Sequence, residues 1–274
     1  MEFPRADWQK SALVLAGHGS SRNPWSALPV YQNAQRIRQL GLFAEVHECF
    51  WKEEPNFHQV LRQVESSTIF VVPYFLAKGY FTQEVLPREL GLTGRFTIRA
   101  GRKIFYCDPV GTHPSLERVL HDRIHQLWEG HPAPVDPKRI ALILVGHGTS
   151  LSEESSEVVR HWIDRFQQKK SYGECHAAFL DEAPYIAQWW EWTQREAVVI
   201  VPYFVSQGLH TYRDIPRLVG IENKKPFGGP HSIRGHKVWY TEPIGTDPGI
   251  VDVILQQVAS WRECNRPVSK VAPN

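Results

Sequence analysis

The sequence predicts an α/β chain of two similar three-layer lobes, each built on a small parallel sheet and related by internal duplication. The first observation is the repeat. Residues 11–90 laid over residues 140–219 without a gap give 25 identities in 80 positions, against a chance level of about one in sixteen. The matches fall in blocks. A-L-V-L-A-G-H-G-S-S at 12–21 answers A-L-I-L-V-G-H-G-T-S at 141–150, and E-V-H-E-C-F at 45–50 answers E-C-H-A-A-F at 174–179. V-P-Y-F-L-A-K-G-Y-F-T at 72–82 answers V-P-Y-F-V-S-Q-G-L-H-T at 201–211. The offset is 129, the distance from His18 to His147; it becomes 134 at P-V-G-T-H-P (109–114) and P-I-G-T-D-P (243–248), so five residues are inserted near 223–235. The second observation is the alternation of short apolar runs with helical patterns inside each copy. The third is the segment between them, E-G-H-P-A-P-V-D-P-K at 129–138, whose three prolines read as an extended linker. The expected organisation is a lobe at 1–128, a linker at 129–138 and a lobe at 139–274.

Each copy reads the same way in order. The apolar runs Leu13 to Ala16 and Leu142 to Val145 suit a buried parallel strand. A helix follows; in the second copy Val158, Val159, Trp162, Ile163 and Phe166 share one helical face. A second strand ends near Phe50 or Phe179, and Pro55 or Pro184 is expected in the first turn of the next helix. A third strand ends at Pro73 or Pro202, and a fourth precedes the P-x-G-T-x-P turn. Two four-stranded lobes would face each other across a cleft.

Composition narrows the function classes. With 42% hydrophobic and 22% charged residues the chain is an ordinary globular sequence, and its net charge of +2 gives no sign of a nucleic-acid partner. The longest apolar runs, at 140–145 and 197–201, fall far short of the roughly 20 residues that span a bilayer. Residues 1–10 carry Glu2, Arg5, Asp7 and Lys10 rather than a signal-peptide core. Cys49, Cys107, Cys175 and Cys264 are scattered without C-x-x-C spacing, which argues against a disulfide framework, a zinc ribbon or an iron–sulfur cluster. A cytoplasmic location without membrane contact is expected.

Ligands of an open α/β sheet bind beyond the carboxyl ends of its strands. The G-H-G turns put His18 and His147 there, flanked by glycines that let the chain turn sharply. His210 lies eight residues past Pro202, in the loop expected after the third strand. A 2-1-3 strand order makes strands one and three neighbours, so His147 and His210 converge. Asp181 and Glu182, in the loop after strand two, approach the same rim, and Glu182 is taken as the catalytic carboxylate. Two neutral imidazoles and a carboxylate suit a divalent transition metal, and a histidine also accepts protons near neutrality. The first copy keeps His18 and Glu53 but has Phe81 where the second has His210. The complete centre is therefore placed in the second lobe, with His147 and His210 as metal ligands and proton acceptors and His18 as a secondary catalytic candidate.

At these residues the chain resembles a known family. G-H-G-T-S after a strand, F-L-D-E-A-P after the second, and P-Y-F-V-S-Q-G-L-H-T-Y-R-D-I-P after the third look like the sirohydrochlorin chelatases. The resemblance covers roughly residues 11–128 and 139–258, as in the long fused form of an enzyme otherwise built from two short chains. It implies a chelatase-like lobe of flavodoxin-like topology, and ATP-independent insertion of cobalt or ferrous iron into sirohydrochlorin, in cobalamin or sirohaem synthesis. By the same resemblance His147 and His210 match the functional histidines and Asp214 the aspartate of D-I-P. The first copy departs with Lys78, Phe81 and V-L-P at 85–87. The metal is then a substrate, no tightly bound cofactor is expected, and the fused repeat points to a monomer. The substrate's carboxylates call for cations: Arg213 and Arg217 lie beside His210, and Arg88 holds the matching place in the first copy. Tyr203, Phe204, Tyr212 and Trp25 are candidate surfaces for the ring. No G-x4-G-K-[ST] supports an ATP-driven reaction.

Plainer readings stand beside these. A G-H-G turn also serves simple strand-to-helix chemistry, and Asp181 and Glu182 also serve as helix caps. Arg213 and Arg217 sit at helical spacing, as a solvated face does. His47 and His176, mid-strand on an edge, are taken as structural, the Trp189–Trp190–Trp192 cluster as packing, and His113 as having no shared ligand role because Asp247 stands opposite it. Two rival functions remain: a non-catalytic metal or tetrapyrrole carrier, and a histidine-phosphatase-type enzyme. The second wants arginine before its histidine, where Gly17 and Gly146 stand.

Overall fold

A computed structural model describes residues 8–21, 23–128, 136–148, 154–222 and 225–264. The first copy runs β1 (Ser11–Gly17), α1 (Leu28–Leu40), β2 (Glu45–Phe50), α2 (Phe57–Gln63), β3 (Thr68–Pro73), α3 (Leu86–Leu90), β4 (Phe96–Arg99), β5 (Arg102–Tyr106) and α4 (Leu116–His125). The second runs β6 (Ile140–Gly146), α5 (Glu154–Gln168), β7 (Glu174–Phe179), β8 (Ala197–Pro202), α6 (Ile215–Val219), β9 (Gly228–Ile233), β10 (His236–Tyr240) and α7 (Ile250–Cys264). The sheets have the orders β2-β1-β3-β5-β4 and β7-β6-β8-β10-β9. Every residue of β1 and β6 is buried, as a near-continuous apolar run in a sheet covered on both faces requires. Among the described residues no helix is long and apolar enough to cross a membrane.

Each sheet has five strands where four were expected. The extra strand, β4 or β9, pairs antiparallel at the sheet edge. It joins its neighbour through Ala100–Gly101 or Arg234–Gly235, all four residues at positive φ (48° and 77°, 50° and 84°), the conformation of a tight two-residue hairpin. F-T-I-R is short and G-G-P-H-S-I carries glycine and proline, so neither stands out as a strand in the sequence. Pro55 and Pro184 do not enter the first helical turn. Each follows a cis peptide, and its carbonyl accepts from the N–H of Phe50 or Phe179 at 2.9 Å. Asn56 caps α2, while the second copy has only a 3-10 turn, Ile186–Glu191. Of the expected extended linker, residues 129–135 lie outside the described residues, and Pro137–Arg139 form a 3-10 turn capped by Asp136.

The boundaries expected at 1–128 and 139–274 describe the repeat in the sequence; in space the lobes exchange their last helices. α7 packs on α1 and β3 of the first lobe. Its Trp261 ring lies 4.4 Å from Phe105, and Gln257 Nε2 donates to Pro109 O at 2.8 Å. α4 lies against the second lobe: Glu117 binds Arg165 and Lys169, both at 2.6 Å, and His121 Nδ1 meets the Tyr172 hydroxyl at 2.9 Å. One hydrophobic cluster consequently runs through both lobes, from Leu13 and Phe70 to Leu142 and Trp162. The inner faces are thus joined by a continuous core, and the chemistry is left to the strand ends.

Candidate metal-handling site

Both G-H-G turns have one construction. Gly148 has φ +70°, and a Cβ there would stand 2.6 Å from Glu182 Cγ and 2.9 Å from Phe179 Cβ, so neither the conformation nor the space admits a side chain. The turn brings the His147 carbonyl under the loop after β7, where the N–H groups of Leu180 and Asp181 donate to it at 3.0 Å each. The imidazole is left exposed at the sheet end.

His210 does not lie in a loop. It opens a π-helical turn, His210–Asp214, that runs into α6. The Ile215 N–H reaches back five residues to the His210 carbonyl. Pro216, lacking an N–H, adds no further bond to the ladder. The turn is fixed from beneath. Thr211 Oγ1 accepts from the Gly208 N–H at 3.0 Å, and the Tyr240 hydroxyl donates to Thr211 O at 2.7 Å. The corresponding turn of the first lobe, Phe81–Val85, has the same supports from Thr82 and Tyr106. Sequence reasoning passed over these threonines and tyrosines; their signal was their recurrence in the repeat.

The structure brings His147 and His210 together, their ring centroids 4.9 Å apart and the planes perpendicular at 88°. His147 Nδ1 lies 2.8 Å from Gly148 O and 3.3 Å from Asp181 Oδ2; His210 Nδ1 lies 3.0 Å from Asp214 Oδ2. Acceptors at both Nδ1 atoms make these the protonated nitrogens and leave each Nε2 as a lone pair for an ion or a proton. Burial works against ionisation of Asp214, but hydrogen bonds from Arg213 and His210 outweigh it and hold the carboxyl below its ordinary 3.8. Phe204 packs within 6.4 Å of both rings. Among the described residues no cluster of three or more His, Cys, Asp or Glu side chains is arranged for a metal. Among the described residues the site is a pair of half-exposed imidazoles with carboxylates behind it.

The other expected site residues divide. The carboxylate that reaches His147 is that of Asp181; Glu182 Oε1 turns toward Arg160 at 3.6 Å, beneath the Gly148 turn, so Glu182 does not take the expected place at the rim. Tyr203 is not a surface for the ring. It is 5% exposed, accepts from Trp162 Nε1 at 3.1 Å, and its hydroxyl lies 3.1 Å from Leu76 O and 2.9 Å from Gly111 O of the first lobe. Its repeat partner Tyr74 reciprocates by donating to Gly245 O at 2.7 Å. The strand's alternation sends Tyr203 to the lobe interface and Phe204 to the histidines. Arg213 is exposed and pairs with Asp214 at 2.9 Å; Arg88 is exposed and pairs with Glu89 at 2.8 Å; Arg217 is exposed on α6. Tyr212 packs edge-on against Phe227, and Trp25 is 58% exposed on the first lobe. His18 is exposed, but its ring lies 5.5 Å from Phe81, which itself packs against Trp51, Phe57 and Phe75. Lys52 stands where the second lobe has Asp181, and Val85 where it has Asp214.

The CbiX family profile matches residues 12–127 and again 141–261. The chain belongs to the CbiX family. A probable sirohydrochlorin cobaltochelatase of Halobacterium salinarum is 38% identical over 267 residues, 90% of each chain. A multi-domain protein of Deinococcus radiodurans, with structural similarity to chelatases and two additional novel domains, superposes with a TM-score of 0.78 at 26% identity. That match covers 92% of this chain, which spans only 55% of the other's length. SirB from Bacillus subtilis with Fe3+ superposes with a TM-score of 0.71 at 20% identity, covering 93% of this chain and 98% of its own. The two profile matches agree with the duplication read from the sequence, and the superpositions with its two-lobed fold.

Proposed function

We propose that this CbiX-family chain inserts a divalent metal, cobalt or ferrous iron, into sirohydrochlorin without ATP. The observation that carries the reading is the perpendicular His147–His210 pair at 4.9 Å, each ring with Nδ1 engaged and Nε2 free. Two imidazole nitrogens at about 2.0–2.1 Å from one ion fit that separation. The metal is a substrate to be given up, and a two-histidine site suits this: open coordination positions admit the pyrrole nitrogens as the imidazoles leave. Four bonds form from the ion to the ring nitrogens, two of them at nitrogens that give up their N–H protons, while the bonds to the two imidazoles break, so two protons depart for one divalent ion. His147 and His210 hold the ion and receive protons at Nε2, with Asp181 and Asp214 stabilising the imidazolium that forms. Arg217, Arg213 and Arg88 bind substrate carboxylates, with Arg213 shared with Asp214. The relative's name supports cobalt and the SirB structure iron, so both ions stay in the reading.

In this reading the segment 1–128 is a lobe with a degenerate site, 129–138 joins the copies, and 139–274 carries the working centre. The chain acts as a cytoplasmic monomer with no resident cofactor. The test is anaerobic: protein, excess sirohydrochlorin and cobalt(II) or iron(II), followed by the visible spectrum. Many product equivalents per chain are expected. Arrest after one equivalent would favour a carrier, and a rate equal to that without protein would overturn the assignment.

A further inference from the structure

Between the lobes lies an open cavity of about 490 Å3 whose walls come from both, with Trp25, Gln32 and Arg36 on the first-lobe side and Gln207 and Glu242 on the second. The exchanged α4 adds Arg123. The internal repeat shows what is unusual about it. Arg165, the counterpart of Arg36, is neutralised by Glu117 at 2.6 Å. The position corresponding to Glu117, on the α7 that packs against α1, is Val251. Arg36 therefore lacks the carboxylate its counterpart has; its hydrogen bond among the described residues is to Asn33 Oδ1 at 3.1 Å. Arg123 in the same wall is matched, by Asp247 at 3.0 Å and Glu242 at 3.4 Å. Lys78, which stands in the first copy where Gln207 stands in the second, is matched by Asp108 at 3.0 Å. Among the described residues Arg36 is the cation lining this cavity that has no carboxylate within 4.0 Å, Glu242 being held on Arg123 in the other wall, and the indole of Trp25, 58% exposed, lines the same cavity.

We infer that this cavity is a carboxylate-binding pocket, with Arg36 as its cation and Trp25 as the surface on which the ligand's apolar part rests. A guanidinium whose hydrogen bond among the described residues is to an amide oxygen, with no carboxylate on it, is suited to a bidentate carboxylate, and the amide side chains of Gln32 and Gln207 add donors. Gln207 lies three residues before His210 on the segment after β8, so one stretch of chain walls the pocket and carries a metal-facing imidazole. The carboxylate has two possible sources: a side arm of the tetrapyrrole held at the histidines, which rests on the proposed function, or a free small organic acid, which does not.

The experiment compares the wild-type chain with Arg36→Gln and with Val251→Glu, which restores the carboxylate missing from the repeat. Steady-state kinetics with sirohydrochlorin are measured beside metal-free titration with succinate, read by tryptophan fluorescence with Trp25→Phe as the control. For a tetrapyrrole arm, KM rises about tenfold in both variants while kcat and cobalt affinity hold. For a free acid, KM holds, and a Trp25-dependent response to succinate is lost in both variants. An Arg36→Gln chain that folds and differs from wild type in neither readout overturns the pocket. A wild type that inserts no metal removes the proposed function and leaves the succinate titration to decide the pocket alone.

Discussion

The two lobes present the same platform with different chemistry on it. Both have a left-handed glycine after the histidine, at φ +64° and +70°, and a π turn tied down by a threonine and a tyrosine. On this frame the second lobe places His210, Asp181 and Asp214 around His147, where the first places Phe81, Lys52 and Val85 around His18. Lys52 Nζ lies 5.3 Å from the Trp51 ring, so the first lobe has an aromatic cluster and a cation where the second has imidazoles and carboxylates. The comparison separates two kinds of residue that lie side by side in the chain. Glycine, threonine, proline and tyrosine build the turn, and three other positions decide whether it can hold an ion.

The largest effect is expected from making the second lobe like the first. His210→Phe should lower metal insertion about 10²–10⁴-fold, with the unfolding midpoint unchanged because the side chain is half exposed. Anaerobic initial rates and a thermal melt check both halves, and a rate within threefold of wild type would break the distinction between the lobes. Asp214→Asn acts through His210, whose Nδ1 it holds at 3.0 Å. A loss of about 10–100-fold in cobalt affinity or rate is expected, with the pH–rate profile displaced, which a merely structural role would not do.

Smaller effects belong to the contacts that join the lobes. Tyr203→Phe should leave the rate nearly unchanged and cost about 1–3 kcal/mol by urea unfolding, because the Trp162 Nε1 proton and two first-lobe carbonyls lose their buried partner. A lowered rate with unchanged stability would return Tyr203 to the site. Acid should loosen the exchanged helices. His113 meets Ser260 across α7 at 3.2 Å, and His121 meets Tyr172 across α4. Burial holds both imidazoles below their ordinary 6.5, with Asp108 opposing at His113 and Glu117 at His121. The unfolded chain takes these protons at higher pH than the folded one. The stability they protect is full above about pH 6.5 and is lost as pH falls toward the folded values. Thermal midpoints from pH 7.5 to 5 should decline, less so in a His113→Gln/His121→Gln chain; an equal decline would assign the effect elsewhere.

The repeat made much of this legible. The 2-1-3 order, the duplicated lobes and the meeting of His147 with His210 follow from where two blocks fall at strand ends. Long-range partners are less visible, because spacing says nothing about which way a side chain turns. Asp181 and Glu182 are neighbours, yet only the first reaches the imidazole, since the space under Gly148 takes the second. Tyr203 and Phe204 are adjacent too, and strand alternation sends the tyrosine inward. The helix exchange has no local signature: α4 and α7 are amphipathic whichever sheet they cover, and only pairs such as Glu117–Arg165 reveal the choice.

Anaerobic cobalt(II) titration of the wild-type, His18→Ala and His210→Ala chains, read in the visible d–d region, tests the asymmetry of the lobes directly. One ion per chain in the wild type, unchanged in His18→Ala and weakened at least tenfold in His210→Ala, is the predicted result. Two ions per chain, or a site lost with His18 and kept without His210, would contradict it.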